Sequence, residues 1–193
     1  MLHPAIIVKE QSAIHGTGLV AARPIYKGEV VWREDPGQQR FTLEEARRWA
    51  EEQGVKLELH VYQSGENEYT VSPAPERYMN HSCDPTAWWG PGNALVARRD
   101  IQPGQEITYD YTSNDILGEY RMRCNCGSTQ CRGVITNRDY LRLDRQLRYW
   151  GHLPPHVRRA LRRVNLQRSA AAAVVLMLFL LVARSVMKHE MVS

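Results

Sequence analysis

Cysteine placement constrains this 193-residue chain more than any other feature of its sequence. Cys83 stands alone in NHSCDPT, and the other three cysteines occur together in RCNCGSTQCRG as Cys124, Cys126 and Cys131. Thiolates at CxC and CxxxxC spacing can reach one metal ion from a single loop, but tetrahedral zinc takes four ligands. The trio therefore predicts a zinc site closed by Cys83 or by a histidine such as His81 or His152. Free buried thiols are the alternative.

Length and composition are those of one globular domain with a small appendage. Hydrophobic residues make up 43% of the chain and charged residues 24%, which is ordinary for a folded protein. Four cysteines are too few for a disulfide scaffold, and the N-terminal MLHPAIIVKE lacks the long apolar run of a signal peptide. We therefore expect a reducing, intracellular location, either cytoplasmic or nuclear.

Charge is distributed unevenly along the chain, whose formal net charge is +4. Residues 1–137 carry 14 Lys and Arg against 18 Asp and Glu, whereas residues 138–168 carry nine against two. The acidic front suits a basic polypeptide partner, and a solvated acidic surface is the alternative. The basic segment suits an anionic surface, but it has no aromatic platform, so direct nucleic-acid binding is not expected.

Short strands are predicted for the first forty residues. Apolar runs such as AIIV, GLVAA and EVVW alternate there with Gly and Pro at turn positions. TLEEARRWAEEQG then predicts one helix of about three turns, because Thr42 and Glu45 have capping-box spacing and Gly54 is a stop signal.

Further strands are predicted after this helix. LELHVYQ and EYTVSP flank the polar turn SGEN and favour a hairpin, and ALVARRDIQPGQEITYDY predicts a strand, a Pro-Gly turn and a strand. From about Arg138 the chain is rich in arginine and predicted to be helical, with a break at Pro154-Pro155. These patterns together predict a mainly β fold, of the β-rich α+β class, with a helical C-terminal tail.

The tail contains an apolar run, AAAAVVLMLFLLVA, at residues 170–183 between Arg168 and Arg184. Its 14 residues are fewer than the roughly twenty that a helix needs to cross the hydrocarbon core of a bilayer. The run predicts a helix that packs on the domain or, by self-association, on a second copy of the chain. The alternatives are membrane contact, as an interfacial or single-span anchor, and a disordered tail.

Four segments, in order, resemble the SET domain of protein lysine methyltransferases. HGTGLVAARPIYKGEVV is similar to its opening GxG segment, RYMNHSCDPT to its RFxNHSCxPN signature, and GQEITYDY to its GEELTxDY signature. CNCGSTQCRG resembles the post-SET cysteine cluster that follows. The resemblance covers about residues 5–135 and implies a SET-domain fold of small curled sheets with a knot-like C-terminal threading.

The resemblance and the charge and hydropathy patterns together predict four parts of the chain, of which the resemblance implies the first two. A SET domain at 4–112, with a variable insert at about 41–71, precedes a post-SET zinc-binding segment at 120–136. An Arg-rich helical extension at 138–168 and the apolar tail at 169–193 complete the chain. In the family, three clustered thiolates join the cysteine of NHSC around one structural zinc ion. The implied zinc ligands are Cys83, Cys124, Cys126 and Cys131.

The family uses S-adenosylmethionine as methyl donor, and the resemblance implies which residues bind it. They are His15, Gly16, Thr17, Gly18, Arg77, Tyr78, Asn80, His81 and Tyr111. The two glycines of HGTG let the backbone approach a ligand closely, although a tight turn is the more frequent reason for such a pair. Thr86 stands where the family usually has Asn, which leaves the local hydrogen bonding open.

Two tyrosines are the implied catalytic residues. Tyr111 matches the catalytic tyrosine of the family, and Tyr109 matches the position where Phe or Tyr influences how many methyl groups are added. A tyrosine there implies monomethylation. Alternation along a strand predicts that Tyr109 and Tyr111 point to one face, with Asp110 pointing to the other as a structural residue.

The implied activity is methyl transfer to the side-chain amine of a lysine in a protein. The expected partner is a basic protein or peptide, and a histone is the family's most frequent substrate. A catalytically inactive, zinc-stabilised protein-interaction module is the alternative. Cofactor binding would separate the two, because an inactive module has no need to bind S-adenosylmethionine.

Overall fold

The computed structural model describes residues 1–190, and side-chain surroundings as far as Phe179. Contacts divide the chain into two compact units, Met1–Val157 and a second unit that begins at Arg158. The predicted tail at 169–193 therefore has its last three residues outside the described part.

Short strands dominate the first unit, as the Gly and Pro punctuation of the sequence predicts. Each of the twelve strands found in the described residues has two to four residues. They are β1 Ile6–Lys9, β2 Gly18–Ala21, β3 Val30–Arg33, β4 Arg40–Phe41, β5 Val61–Gln63, β6 Tyr69–Val71, β7 Asn80–His81, β8 Ala87–Gly90, β9 Ala94–Ala97, β10 Thr108–Tyr109, β11 Arg121–Arg123 and β12 Val134–Thr136.

Helices are fewer, which confirms the predicted β-rich α+β class. The α-helices are α1 Leu43–Glu52, α2 Leu57–His60, α3 Leu143–Arg148 and α4 Pro155–Glu190. Single 3-10 turns lie at Glu76–Tyr78, Pro91–Asn93, Tyr111–Ser113 and Asp139–Leu141.

The strands described here form five small sheets. Four of the sheets are antiparallel. Two of these have three strands, in the order β3-β9-β8 and β4-β6-β5, and two are pairs, β1 with β2 and β11 with β12. The fifth sheet is the parallel pair of β7 and β10. Since parallel strands cannot be joined by a tight turn, this pair requires a long crossover.

Helix α1 begins and ends where the sequence predicts. The Thr42 hydroxyl accepts from the Glu45 main-chain N at 3.2 Å, and the Glu45 carboxylate accepts from the Thr42 main-chain N at 2.7 Å, which completes the capping box. The helix ends at Glu52, and Gly54 follows with a positive φ of 62° that suits glycine.

The hairpin predicted after α1 is present but shorter than expected. β5 pairs with β6 in antiparallel register, with Tyr62 opposite Thr70. The first half of LELHVYQ is wrong as a strand, because Leu57–His60 is a helical turn. Leucine and glutamate favour helix, and Leu59 is exposed, so no buried sheet face selects the strand here.

The strand, Pro-Gly turn and strand predicted for ALVARRDIQPGQEITYDY are present as β9, the turn at Gly104 and β10, but the two strands do not pair with each other. The Pro-Gly turn is present, with Gly104 at a φ of 81°, but β9 pairs with β3 and β8 whereas β10 pairs with β7. The two sides of the turn diverge because Ile101 bridges to Ile25 and Glu106 bridges to Val20. Partners distant in sequence therefore override the local hairpin signal.

The main hydrophobic core surrounds Trp32 of β3. Its ring makes edge-to-face contacts with Tyr62 at 5.6 Å and with Trp89 at 6.1 Å. Met79 and Leu95 belong to the same buried cluster. Burial of such a side chain contributes about 1.5–3 kcal/mol. All five residues also line a cavity, so the core forms the floor of the candidate site.

The C-terminal segment is helical, with a break before Pro155 as the sequence predicts. Beyond Arg158, α4 carries apolar side chains at Val174–Phe179 that are exposed. Within the described residues, no helix is both long enough and apolar enough to span a membrane. Packing, membrane contact and self-association through residues 170–183 stay predictions.

Candidate functional site

A cavity of about 680 Å³ in the first unit brings the predicted site residues together. The predicted cofactor and catalytic residues that line it are His15, Gly16, Thr17, Arg77, Tyr78, Asn80, His81, Tyr109 and Tyr111. Residues from β11 and the cysteine segment also line it, among them Met122 and Cys124. Gly18 lies just outside the lining, at the first position of β2.

The loop His15–Gly18 is fixed mainly by one amide side chain. Asn80 Nδ2 lies 3.0 Å from the main-chain oxygen of His15 and 3.1 Å from that of Thr17. Gly16 has a positive φ of 47°, and its carbonyl accepts from Ser12 N at 2.7 Å. Asn80 therefore holds the loop in shape, and the buried strand β7 holds Asn80.

Close approach explains the glycine at position 18. A Cβ atom there would lie 2.5 Å from Glu106 Oε1, so any other residue would require the Glu106 carboxylate to shift. The Glu106 carboxylate accepts from the Ser12 hydroxyl at 2.9 and 2.8 Å and from Asn80 Nδ2 at 2.8 Å. Ser12 and Glu106 were missed from sequence, although Glu106 lies inside the quoted GQEITYDY.

The pairing of β7 with β10 joins two of the motifs directly. Asn80 lies opposite Thr108 and His81 opposite Tyr109. Thr86 supports the pair, because its hydroxyl donates to the Glu106 carbonyl at 3.0 Å and accepts from Thr108 N at 2.9 Å. The threonine thus makes a complete hydrogen-bonding pattern at the position where the resemblance left it open.

Tyr109 and Tyr111 face the same cavity, but the predicted reason is wrong. The strand ends at Tyr109, and Tyr111 begins a 3-10 turn that Asp110 caps by accepting from Thr112 N at 3.1 Å. The two rings lie 4.8 Å apart. The Tyr111 hydroxyl donates to the Met79 carbonyl at 2.9 Å, and burial raises its pKa well above the usual value.

Asp110 is buried and is not among the residues that line the cavity, in agreement with its predicted structural role. Its carboxylate accepts from the Arg132 guanidinium at 2.7 Å and from the Tyr149 hydroxyl at 2.9 Å. Arg132 also donates from Nε to Cys83 Sγ at 3.2 Å. Sequence reasoning missed Arg132, although it directly follows the last cysteine of the cluster.

The four cysteines lie together, as predicted. The sulfur atoms of Cys83, Cys124, Cys126 and Cys131 are all within 4.8 Å of one another, and those of Cys83 and Cys124 are 3.7 Å apart. Four sulfurs bound to zinc at about 2.3 Å in a tetrahedron are about 3.8 Å apart, so the cluster fits this ion. Burial raises the pKa of the Cys83 and Cys124 thiols, and a divalent ion would reverse this by stabilising the thiolates.

Neither histidine considered as a fourth ligand is needed. His152 stacks on Trp88 at a ring distance of 3.5 Å. Burial lowers the pKa of His81 to about 4, so its ring is neutral. Its Nδ1 accepts from Tyr111 N at 3.2 Å, which assigns the proton to Nε2, 3.4 Å from Cys83 Sγ. Nδ1 also lies 3.5 Å from the Asp110 carboxylate, but the main-chain donor is closer and Arg132 already neutralises that carboxylate.

Comparison with known proteins gives the same family by sequence and by fold. The sequence model of the SET domain matches residues 16–112. A histone-lysine N-methyltransferase of Yarrowia lipolytica, named as H3 lysine-4 specific, is 33% identical over 65% of this chain and 12% of its own length. A probable histone-lysine N-methyltransferase, set-23, of Caenorhabditis briggsae is 32% identical over 56% of each chain.

Among solved structures, the methyltransferase domain of human histone-lysine N-methyltransferase SETMAR has a similar fold. It superposes with a TM-score of 0.51 over 68% of this chain and 58% of that chain, at 24% identity. The chain thus spans between about one eighth and three fifths of the length of these relatives. Because the family model covers half of the chain and includes Gly16–Gly18 of the loop, the Asn-His pair and both tyrosines, this protein belongs to the SET domain family.

Proposed function

We propose that this protein transfers methyl groups from S-adenosylmethionine to lysine side chains of a protein. The observation that carries the proposal is a single cavity lined both by the glycine loop and by Tyr111. An enzyme that aligns a donor with an amine needs both in one enclosed space. Relatives named as histone-lysine methyltransferases support the same reaction.

The glycine loop and its neighbours are the residues that would hold the cofactor. They are His15, Gly16, Thr17, Gly18, Arg77, Tyr78, Asn80, His81 and Tyr111. When bound, S-adenosylmethionine supplies a methyl group on a positively charged sulfur. Main-chain groups that are fixed before binding lose less conformational entropy when the cofactor binds. The hydrogen bonds from Asn80 to the carbonyls of His15 and Thr17 fix the loop in this way.

Tyr111 has the chemistry of an oriented acceptor. Its proton is directed at the Met79 carbonyl, so the lone pairs of the hydroxyl oxygen remain available to a polarised methyl group in the cavity. Its raised pKa keeps the hydroxyl protonated, so Tyr111 does not act as a base. Orientation of the reacting groups can lower the activation free energy by up to about 7–11 kcal/mol.

The walls of the cavity favour the reactive form of the substrate. An amine attacks only when neutral, whereas a free lysine has a pKa of about 10.4. Trp32, Trp89 and Leu95 line the cavity with apolar surface, which lowers the pKa of an amine by desolvation. Tyr109 packs against Trp89 at a ring distance of 6.4 Å and fills room that added methyl groups would need, which supports monomethylation.

The cysteine cluster is proposed as a structural zinc site. Cys83, Cys124, Cys126 and Cys131 would use all four tetrahedral positions, so no position remains for water or substrate. Zinc would connect the loop after His81 to the segment that contributes Met122 and Cys124 to the cavity. The ion would therefore act on the reaction through the shape of the cavity.

A histone is the proposed substrate. The acidic balance of residues 1–137 suits a basic peptide, and relatives are named for histone H3 lysines. Such a substrate would imply a nuclear location where the cell has a nucleus.

The test is transfer of labelled methyl groups to histones and other basic proteins by wild-type protein and Tyr111→Phe. We expect label on lysine, and a rate at least about 100-fold lower in the variant, because the oriented oxygen is lost. Tyr26→Phe is the matched control, since Tyr26 is 61% exposed and remote from the cavity lining. Wild-type protein that fails to bind S-adenosylmethionine with zinc supplied would favour the inactive interaction module instead.

A further inference from the structure

Asp115 is a carboxylate in the cavity wall that neither the motifs nor the proposed chemistry uses. It follows the 3-10 turn of Tyr111 and lines the cavity together with Tyr62, Tyr109 and Tyr111. Its side chain is surrounded by protein but only half-buried, because part of its surface opens to the cavity. A charged group in this position faces any ligand that enters beside the tyrosines.

One oxygen of this carboxylate is fixed and the other is available. Oδ1 accepts from Gln63 N at 2.7 Å and from Asn114 Nδ2 at 3.2 Å. Gln63 also holds the following loop, because its Oε1 accepts from Ile116 N at 3.0 Å. Among the described residues, none donates a hydrogen bond to Oδ2. The carboxylate is therefore held firmly with one acceptor atom left for a ligand.

Among the described residues, no cation is paired with this charge. Within the part of the chain that the structure describes, no Lys, Arg or His lies within ion-pairing distance of Asp115. Burial accordingly raises the pKa of Asp115 to about 7, and the Asp115 charge in turn helps to raise the pKa of Tyr109 and Tyr111. A carboxylate in such a position costs free energy until a cation approaches it.

Asp110, five positions earlier, provides the contrast. It is fully buried and makes an ion pair with Arg132 at 2.7 Å, so its charge is compensated inside the fold. The chain thus satisfies one carboxylate of this segment internally and leaves the other open to the cavity. The open one has the chemistry of a cation-binding group.

Under the proposed function two cations enter the cavity, the sulfonium of the cofactor and the ammonium of the lysine. The hydrogen-bond partners of Asp115 come from β5 and from the segment after Tyr111. The glycine loop is instead held by Asn80 and Glu106, whose described hydrogen bonds do not include Asp115, whereas the charge of Asp115 acts on Tyr109 and Tyr111. The location of Asp115 therefore favours the lysine.

We infer that Asp115 is a substrate-binding residue whose free carboxylate oxygen pairs with the ammonium group of the incoming lysine. This inference rests on the proposed function and adds the group that recognises the substrate's charge. The ion pair between Asp115 and the ammonium group acts while the lysine enters the cavity and is selected, because the amine reacts only after it has lost a proton. A lysine is thereby distinguished from an uncharged side chain of equal length before transfer begins.

The test compares two small probes, Nα-acetyl-lysine methylamide and Nα-acetyl-norleucine methylamide, which share an unbranched four-carbon side chain and differ in the terminal ammonium group. Dissociation constants are measured by chemical-shift titration of the full-length protein. We expect wild-type protein to bind the lysine probe about tenfold more tightly, as for one charge-assisted hydrogen bond. Asp115→Asn keeps an acceptor for Gln63 N and should bind both probes equally.

Glu119→Gln is the matched control, because it removes one negative charge at an exposed position four residues away. It should keep the wild-type preference. The inference is overturned if wild-type protein shows no preference for the lysine probe, or if Asp115→Asn keeps that preference. Both outcomes are independent of methyl transfer, so failure of the proposed function would be seen separately in the Tyr111 experiment.

Discussion

The glycine loop and the cysteine cluster both border the short segment from Asn80 to Cys83, but they are held in different ways. The loop His15–Gly18 is ordered by hydrogen bonds from Asn80 and by the Glu106 carboxylate beneath Gly18. The four cysteines are free thiols that converge without a covalent link. The loop half of the site is therefore ordered by hydrogen bonds of the chain, whereas we propose that the cysteine half is ordered by zinc.

Removal of zinc should have the largest effect, and only on the cysteine side. Cys83→Ser takes one ligand from the cluster, and structural zinc in small domains contributes about 10–16 kcal/mol of binding free energy. We expect loss of bound zinc and fast amide exchange across residues 120–136, with little change at His15–Gly18. Metal analysis measures the bound zinc, and hydrogen exchange measures the order of the two regions. The control is wild-type protein from which zinc is removed by a chelator and then restored. Equal exchange changes in the two regions would contradict the comparison.

Loss of Arg132 should have the next largest effect, because this residue joins the cluster to the tyrosine segment. Arg132→Gln leaves Asp110 as a buried charge without its cation, and breaking such a buried pair costs about 3–5 kcal/mol. It also removes a donor to Cys83 Sγ, so we expect zinc affinity to fall about 10- to 100-fold. Thermal unfolding and competition with a zinc chelator test the two effects.

The matched control for Arg132 is Arg121→Gln, which removes an exposed arginine of the neighbouring strand β11. It should leave both stability and zinc affinity near wild type. Unchanged zinc affinity in Arg132→Gln would mean that the arginine supports the fold without acting on the cluster.

For Asn80→Ala we expect a smaller effect that is limited to the glycine loop His15–Gly18. The variant frees the carbonyls of His15 and Thr17 and leaves Glu106 without one donor, at a cost of about 1–3 kcal/mol. S-Adenosylmethionine affinity should fall about tenfold or more while zinc content stays complete. Calorimetric titration and metal analysis check this, with exposed Asn67→Ala as control. Zinc loss in Asn80→Ala would show that the two halves are not independent.

Sequence patterns predicted the parts of this fold that are specified locally. The capping box of α1 and the pair of strands β1 and β2 depend on residues close together in the chain. The motifs containing Asn80, Cys83 and Tyr111 could be found because each is a short run of distinctive residues. Their spatial meeting, however, was expected from resemblance and not from any pattern in the residues.

Features decided by distant partners could not be predicted in the same way. The strands flanking Gly104 diverge because β3 and β7, far back in the chain, offer better pairing. Asp110 and Asp115 look alike in sequence, but in the fold Arg132 pairs with Asp110, whereas Gln63 donates to Asp115. The Glu106 carboxylate likewise lies against Gly18 in the fold, and no sequence pattern connects these two distant positions.

The parallel pairing of β7 with β10 has a consequence for how the protein is made. Each strand has two residues, and no turn joins them, so neither can form an isolated folded precursor. During synthesis, the glycine loop and Asn80 emerge first and have no Thr108 or Glu106 to meet. The cavity can be complete only after its last lining residue, Asn125, has left the ribosome, which makes the candidate site a late product of translation rather than an early folding nucleus.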